Sequence, residues 1–238
     1  MTRVAVFRPD DDRLEAAISF LESLGVEPVG DPMLAVEPTD ELPRRDATIV
    51  ILTSKTGAEI VEDRWTPGDA TVCAIGAGTA DALEAAGITV DVVPETYSSE
   101  GLVAALADRV DGERVEIARS DHGSDVLLDG LDAAGAYHHE TVLYRLVRPE
   151  GAGESVSMAA AGELAAALFT SSLTVEHFLE VASEQECRGG AIAGLNAAVV
   201  GAIGRPTRET AEAAGITVDV VPETATFEAL ARAVVDRL

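Results

Sequence analysis

Apolar residues in this chain fall into two alternating patterns. Short, mostly apolar runs at residues 4–7, 47–52, 71–75, 90–93, 115–118, 165–169 and 198–203 end in Arg, Thr-Ser, Gly or Pro. Their length and flanks predict strands buried on both faces. Between them, apolar residues recur at helical spacing. Leu14, Ala17, Ile18, Leu21 and Leu24 follow the capping acids Asp10 to Asp12 and stop at Gly25, as expected of a helix start and stop. Further helices are expected over residues 57–63, 76–86, 101–110 and 227–238. Residues 26–36, broken by Pro28 and Pro32, read as extended. Residues 38–46 read as a crossover, and the Gly/Ser/Ala-rich stretch 150–162 as a flexible linker. Strands alternating with helices predict βαβ units and parallel sheets.

The pattern occurs twice. EAAGITVDVVPET stands at residues 84–96 and again at 212–224. Each copy follows an Ala-Ile-Gly turn with a Thr three residues after the Gly (Gly76 and Thr79; Gly204 and Thr207). A repeat of this length has to be placed before anything else. The stretch from Arg114, with its strand ending at Arg119, lies against the N-terminus, where the strand ends at Arg8. Thr170-Ser171 echoes Thr53-Ser54. The chain therefore reads as two copies of a five-strand α/β unit, divided near Gly112.

Composition adds limits. The formal charge is −25, with a single Lys, Lys55, among 17 basic residues. Such a surface repels nucleic acid and anionic membranes, and it is tolerable in a salty cytosol where screening is short-ranged. Aromatic residues make up 4%, so Ala, Val, Leu and Ile must fill the core. Cys73 and Cys187 give neither a disulfide framework nor a metal spacing and read as core thiols. With no signal core and no membrane-length apolar run, the expectation is a cytoplasmic protein.

In open parallel sheets ligands bind beyond the carboxyl ends of the strands. The residues expected there are Arg8, Ser54, Gly76, Thr79, Arg119, Ser171, Ser172, Gly204 and Thr207. Together with free helix N-terminal amides they form a rim suited to carboxylates. Other motifs read as structure. Gly76-Ala77-Gly78 opens a dinucleotide fingerprint, but Asp81 fills the third glycine position. Ser120-Asp121-His122 reads as a capped helix start rather than a triad. His138 and His139, adjacent on an extended segment, point to opposite faces, and His177 has no metal partner at a useful spacing.

These residues carry a family likeness. The chain resembles uroporphyrinogen-III synthases in its early strand ending at Arg8-Pro9, its turn Thr53-Ser54-Lys55-Thr56-Gly57, and the Gly76 to Ile88 turn and helix. The Val142-Leu143-Tyr144 segment, the Phe169-Thr170-Ser171-Ser172 turn and the closing Ile203 to Thr207 turn also match. Departures are Ser120, where the family often has Gly, Ser172, where it commonly has Pro after the Ser, and Lys55, where Asn or Ala is often seen. The resemblance implies two flavodoxin-like parallel-sheet lobes joined by a two-stranded linker. One lobe would take residues 1–36 and 150–238, the other 39–147, with linkers near 33–38 and 144–149. The two lobes would be able to hinge. It implies a monomer acting on hydroxymethylbilane, a linear tetrapyrrole with eight carboxylates, with no metal or organic cofactor. The terminal hydroxyl would leave as water and the ring would close with the last pyrrole inverted. Tyr144 is the candidate to protonate or orient the departing hydroxyl; its alternative is a packing role. A different class of function, a non-catalytic binder or sensor of a small anionic metabolite, would share the same fold. A flavodoxin-type electron carrier would need aromatic residues at the strand tips.

Overall fold

The structure is a computed structural model and describes residues 2–238. In chain order the elements are β1 (Arg3–Phe7), α1 (Asp12–Ser23), β2 (Glu27–Gly30), β3 (Ala35–Pro38), β4 (Ile49–Leu52), α2 (Lys55–Val61), β5 (Thr71–Ala74), α3 (Ala77–Ala85) and α4 (Ser99–Leu106). They continue with β6 (Arg114–Ser120), α5 (Asp125–Ala133), β7 (Tyr137–Val147), α6 (Glu154–Ala160), β8 (Ala166–Phe169), α7 (Ser172–Glu184), α8 (Arg188–Leu195), β9 (Val199–Ala202), α9 (Arg205–Ala213) and α10 (Phe227–Val235).

The chain forms two compact units, Met1–Ala35 with Val147–Leu238, and Val36–Leu146. The first holds a sheet in the order β2-β1-β8-β9, with every pair parallel. Its strands are apolar on both faces because both faces are covered. On β1, Ala5 and Phe7 pack with residues of α6, α7 and α8, while Val4 and Val6 face α1 and α10. Phe7 stacks on Phe169 at 4.5 Å between ring centroids, and Phe178 meets both edge-on. The second unit holds β3-β7-β6-β4-β5, with β7, β6, β4 and β5 mutually parallel. Its helices again lie on both faces.

The repeated sequence places one copy in each unit, at the same spot. The backbone of Asp91 pairs with Val72 and that of Asp219 with Val200. In each copy the Asp carboxylate also accepts the facing N–H, from Val72 at 2.8 Å and from Val200 at 2.9 Å. A side chain thus takes a ladder position that a carbonyl would fill. The edge beyond β5 and β9 is accordingly a single bridge, Cys73 to Val92 and Gly201 to Val220, where a full strand over 90–93 was expected.

The stretch 150–162 is not a flexible linker. It contains α6, with Ser155 and Val156 fully buried. Asp31, itself buried, accepts from the Gly153 and Ser155 N–H groups at 2.9 Å each and from the Ser155 hydroxyl. This is an N-cap supplied from a distant loop, and it docks a helix whose local composition alone would leave it loose.

In each sheet the strand order reverses once. The chain leaves β1 toward β2 and returns on its other side at β8; likewise it passes from β6 to β7, with β4 on the other side of β6. Such reversals splay the strand-end loops apart and open a crevice. The tips involved carry Arg8 and Ser171 in the first unit, and Ser54 and Ser120 in the second.

Candidate active site

How the helix N-termini are capped separates ligand-ready tips from closed ones. A helix start leaves backbone N–H groups without partners. Ser54, Ser98, Ser124, Ser171 and Thr226 fill this need at α2, α4, α5, α7 and α10 with their own oxygen. At α3 and α9 the cap residues are Gly76 and Gly204, which have no side chain to offer. Each is followed by a threonine at the third helical position. Thr79 is 5% exposed and Thr207 3%, yet among the described residues neither hydroxyl has a hydrogen-bond partner. Thr174, at the equivalent position of α7, behaves differently and bonds back to the Ser171 carbonyl at 2.7 Å. Among the described residues the turn at α3 therefore keeps the Ala77 and Gly78 N–H groups unused and the turn at α9 those of Arg205 and Thr207, Pro206 having none, each with a threonine hydroxyl unused as well. Hydrogen bonds to a charged group are stronger than those between neutral groups, so an anion arriving at these turns is favoured.

In the first unit a pocket of about 420 Å³ opens at the strand reversal, lined by Arg8, Thr170, Ser171, Ile203, Thr226 and Phe227 among others. Arg8 lies over the Phe227 ring at 4.9 Å from its centroid. Its Nε is buried and has no hydrogen-bond partner. Burial, and then repulsion from Arg13, pulls the Arg8 pKa below its ordinary value. A carboxylate in this pocket would relieve both costs. Thr170 donates to the Phe7 carbonyl at 2.6 Å and so fixes the floor. Ser171 is committed to the capping box of α7, and Ser172 is the first residue of that helix.

In the second unit Tyr144 is 6% exposed, and its hydroxyl donates to Ser54 Oγ at 2.9 Å. Ser54 Oγ also accepts the Gly57 N–H at 2.9 Å. With two bonds accepted, the serine proton is left to donate outward. Gly57 suits this arrangement because a Cβ there would come within 3.1 Å of Ser54 Oγ and 3.3 Å of Leu143.

Arg119 requires a correction. It is 4% exposed, and its guanidinium is held by Glu140, with Nε to Oε2 at 2.7 Å, and by the Ser124 carbonyl at 2.6 Å. A buried arginine without a counter-charge would be prohibitive; here the neighbouring strand β7 supplies one. Arg119 fixes the loop after β6 and is not free to receive a ligand. Ser120, Asp121 and His122 form no triad: the Ser120 Oγ takes the His122 backbone N–H, and Asp121 holds the His122 ring at 2.8 Å and the Leu146 N–H at 3.0 Å. Burial works against ionisation of Asp121, but these bonds outweigh it and hold the carboxyl below its usual range. His177 bonds to the Met33 carbonyl inside the first unit. Burial pushes the Cys73 thiol up to about 12, so it is no nucleophile. Among the described residues no group of three His, Cys, Asp or Glu is placed to hold a metal, and no helix is long and apolar enough to cross a membrane. A pocket of about 650 Å³ beside Trp65, Ile88 and Asp91 lies toward the amino end of β5, and no candidate residue lines it.

Two contributors escaped the sequence reading. Phe227 supplies the wall that Arg8 packs on, and Tyr97 covers Gly76. The repeat held a signal for both, since they lie within three residues of its end.

Comparison with known proteins agrees with this architecture. The family model of uroporphyrinogen-III synthase HemD matches residues 12–232. A Methanothermobacter thermautotrophicus protein, named provisionally as a uroporphyrinogen-III synthase, is 33% identical over 92% of each chain. One from Archaeoglobus fulgidus, named in the same way, is 29% identical over 95% of each. A crystal structure of a mutant uroporphyrinogen III synthase from Thermus thermophilus superposes with a TM-score of 0.68, at 21% identity, covering 98% of this chain and 97% of that one. The Helicobacter pylori uroporphyrinogen-III synthetase gives 0.66 at 14% identity over the whole of both chains. The structural matches speak for the fold and the sequence matches for descent: the chain belongs to the uroporphyrinogen-III synthase family.

Proposed function

We propose that this protein converts hydroxymethylbilane to uroporphyrinogen III, with loss of water and inversion of the terminal pyrrole ring. The observation that carries the reading is the pair of glycine-capped turns, Gly76 with Thr79 and Gly204 with Thr207. Their first amides and their threonine hydroxyls are unused in a protein whose other cap residues are mostly Ser or Thr that bond their own helix. A substrate with eight carboxylates needs such sites, and Arg8, in a separate pocket of the first unit, adds a partly desolvated cation. Ser171 and Ser172 contribute the start of α7 beside it.

The chemistry demands little beyond positioning. The electron-rich pyrrole nitrogen can expel the terminal hydroxyl once that oxygen is protonated, and the resulting cation closes on the far end of the same molecule. Unassisted closure gives the uninverted type I ring, so the protein has to hold a conformer. Holding reacting ends in a near-attack geometry contributes up to ~7–11 kcal/mol. Ser54 donates to the departing hydroxyl, and Tyr144, bonded to the Ser54 oxygen, supports the charge as the C–O bond breaks. The turns bind, the Ser54–Tyr144 pair assists departure, and no step calls for a metal. The test is incubation with enzymatically generated hydroxymethylbilane followed by chromatographic separation of isomers. Type III product supports the reading; type I alone, at the spontaneous rate, overturns it.

A further inference from the structure

The repeat makes the two glycine-capped turns comparable residue by residue, and of their several differences, Ala77 against Arg205 among them, two change the turn itself. Immediately after the identical thirteen residues stands Tyr97 in one copy and Ala225 in the other. Two residues after the cap stands Gly78 in one and Pro206 in the other. Proline has no N–H, so the second-unit turn offers an amide that its counterpart lacks. It also carries an aromatic ring where its counterpart has a methyl group facing an open pocket.

Tyr97 is 64% exposed. Single exposed aromatics are ordinary, but this one is seated. A Cβ at Gly76 would lie 3.1 Å from its Cγ and 3.5 Å from its Cδ2, so glycine lets the ring rest closer to the cap than a larger residue would. Among the described residues its hydroxyl has no hydrogen-bond partner. The ring thus rests at the carboxyl end of β5 against Gly76, the cap of the helix that carries Thr79, with most of its surface presented to solvent. We propose that Tyr97 contacts the substrate directly, its ring packing on one pyrrole of the tetrapyrrole whose carboxylate the Gly76–Thr79 turn receives. Aromatic rings prefer offset or edge-on packing, so the contact selects an orientation of that pyrrole as well as adding affinity. The counterpart turn, with Ala225, receives a carboxylate without orienting a ring. This inference rests on the proposed function and adds the residue that makes one turn directional.

The experiment compares wild type, Tyr97→Ala and Tyr97→Phe. The readouts are KM for hydroxymethylbilane, the ratio of type III to type I product, thermal midpoint, and equilibrium binding of uroporphyrin, the octacarboxylate of the product's aromatic form. Tyr97→Ala is expected to raise KM by about 3- to 10-fold, a loss in the range of one aromatic pair. It should weaken uroporphyrin binding similarly and increase the type I fraction at an unchanged thermal midpoint. Tyr97→Phe, which keeps the ring, is expected to recover most of the loss. Unchanged KM, isomer ratio and binding in Tyr97→Ala would overturn the proposal, as would a Phe variant no better than Ala. If wild type forms no type III product but Tyr97→Ala still weakens uroporphyrin binding, the reaction assignment falls and the ring contact stands.

Discussion

Tyr144 and Ser54 show how a residue's meaning depends on its partner. A tyrosine in an apolar-flanked segment reads equally as packing or as chemistry. Burial to 6% and the 2.9 Å bond to Ser54 give it a polar task. Tyr144→Phe is expected to lower kcat by about 10²-fold, the lower part of the range for a positioned acid, with KM changed less than threefold. Steady-state kinetics on hydroxymethylbilane checks this; an unchanged kcat with reduced thermal stability would return Tyr144 to a packing role. Arg8 and Arg119 make the converse point. Both end a strand in corresponding positions of the repeat, and the sequence treats them alike. The counter-charge that occupies Arg119, Glu140, is 21 residues away on the neighbouring strand, so nothing local announces it. Arg8 has no such strand partner, and its Nε remains open.

At the scale of elements, the apolar runs and their flanks were enough to place most of the strands and helices, because parallel strands covered on both faces write themselves as unbroken Val, Ile, Leu and Ala. The thirteen-residue repeat located both sheet edges, although the Asp91 and Asp219 carboxylates shorten each edge to a bridge. What stayed hidden was α6. Its Gly, Ser and Ala content reads as a linker, and the group that caps it lies 122 residues before Gly153. Removing that group is the direct check. Asp31→Ala leaves the N–H groups of Gly153 and Ser155 buried and unpartnered, at about 1–3 kcal/mol each. Denaturant melts should show a loss of about 2–6 kcal/mol for the two together, and hydrogen exchange should localise it to residues 153–160. A uniform loss of protection across the chain would mean that α6 is not a separable docked element.

The whole molecule carries a formal charge of −25 and binds, on the proposed reading, a polyanion. Two effects then oppose each other as salt is raised. Screening weakens each carboxylate's attraction to Arg8 and the helix termini, and it also weakens the repulsion of 42 acidic residues for one another and for the substrate. The Debye length falls from about 30 Å at ~0.01 M to about 3 Å at ~1 M, so the long-range repulsion is lost before the contacts are. Raising monovalent salt over this range is expected to raise the thermal midpoint and to improve apparent affinity for the substrate, where an ordinary anion site would lose it. A melt series and a salt titration of KM check this; a constant midpoint with steadily falling affinity would mean that local cations outweigh the global field.

The claim on which the rest depends is that holding the open chain in one conformer is the catalysis. It is tested most directly by the fraction of type III isomer formed as protein is titrated from zero to excess over hydroxymethylbilane, in molar salt with a chelator present. The account predicts a rise from the spontaneous type I outcome to nearly complete type III, saturating once closure on the protein outpaces closure in solution. A product that stays type I at every protein concentration, even if the bilane binds, would contradict it and leave a two-unit carboxylate binder in its place.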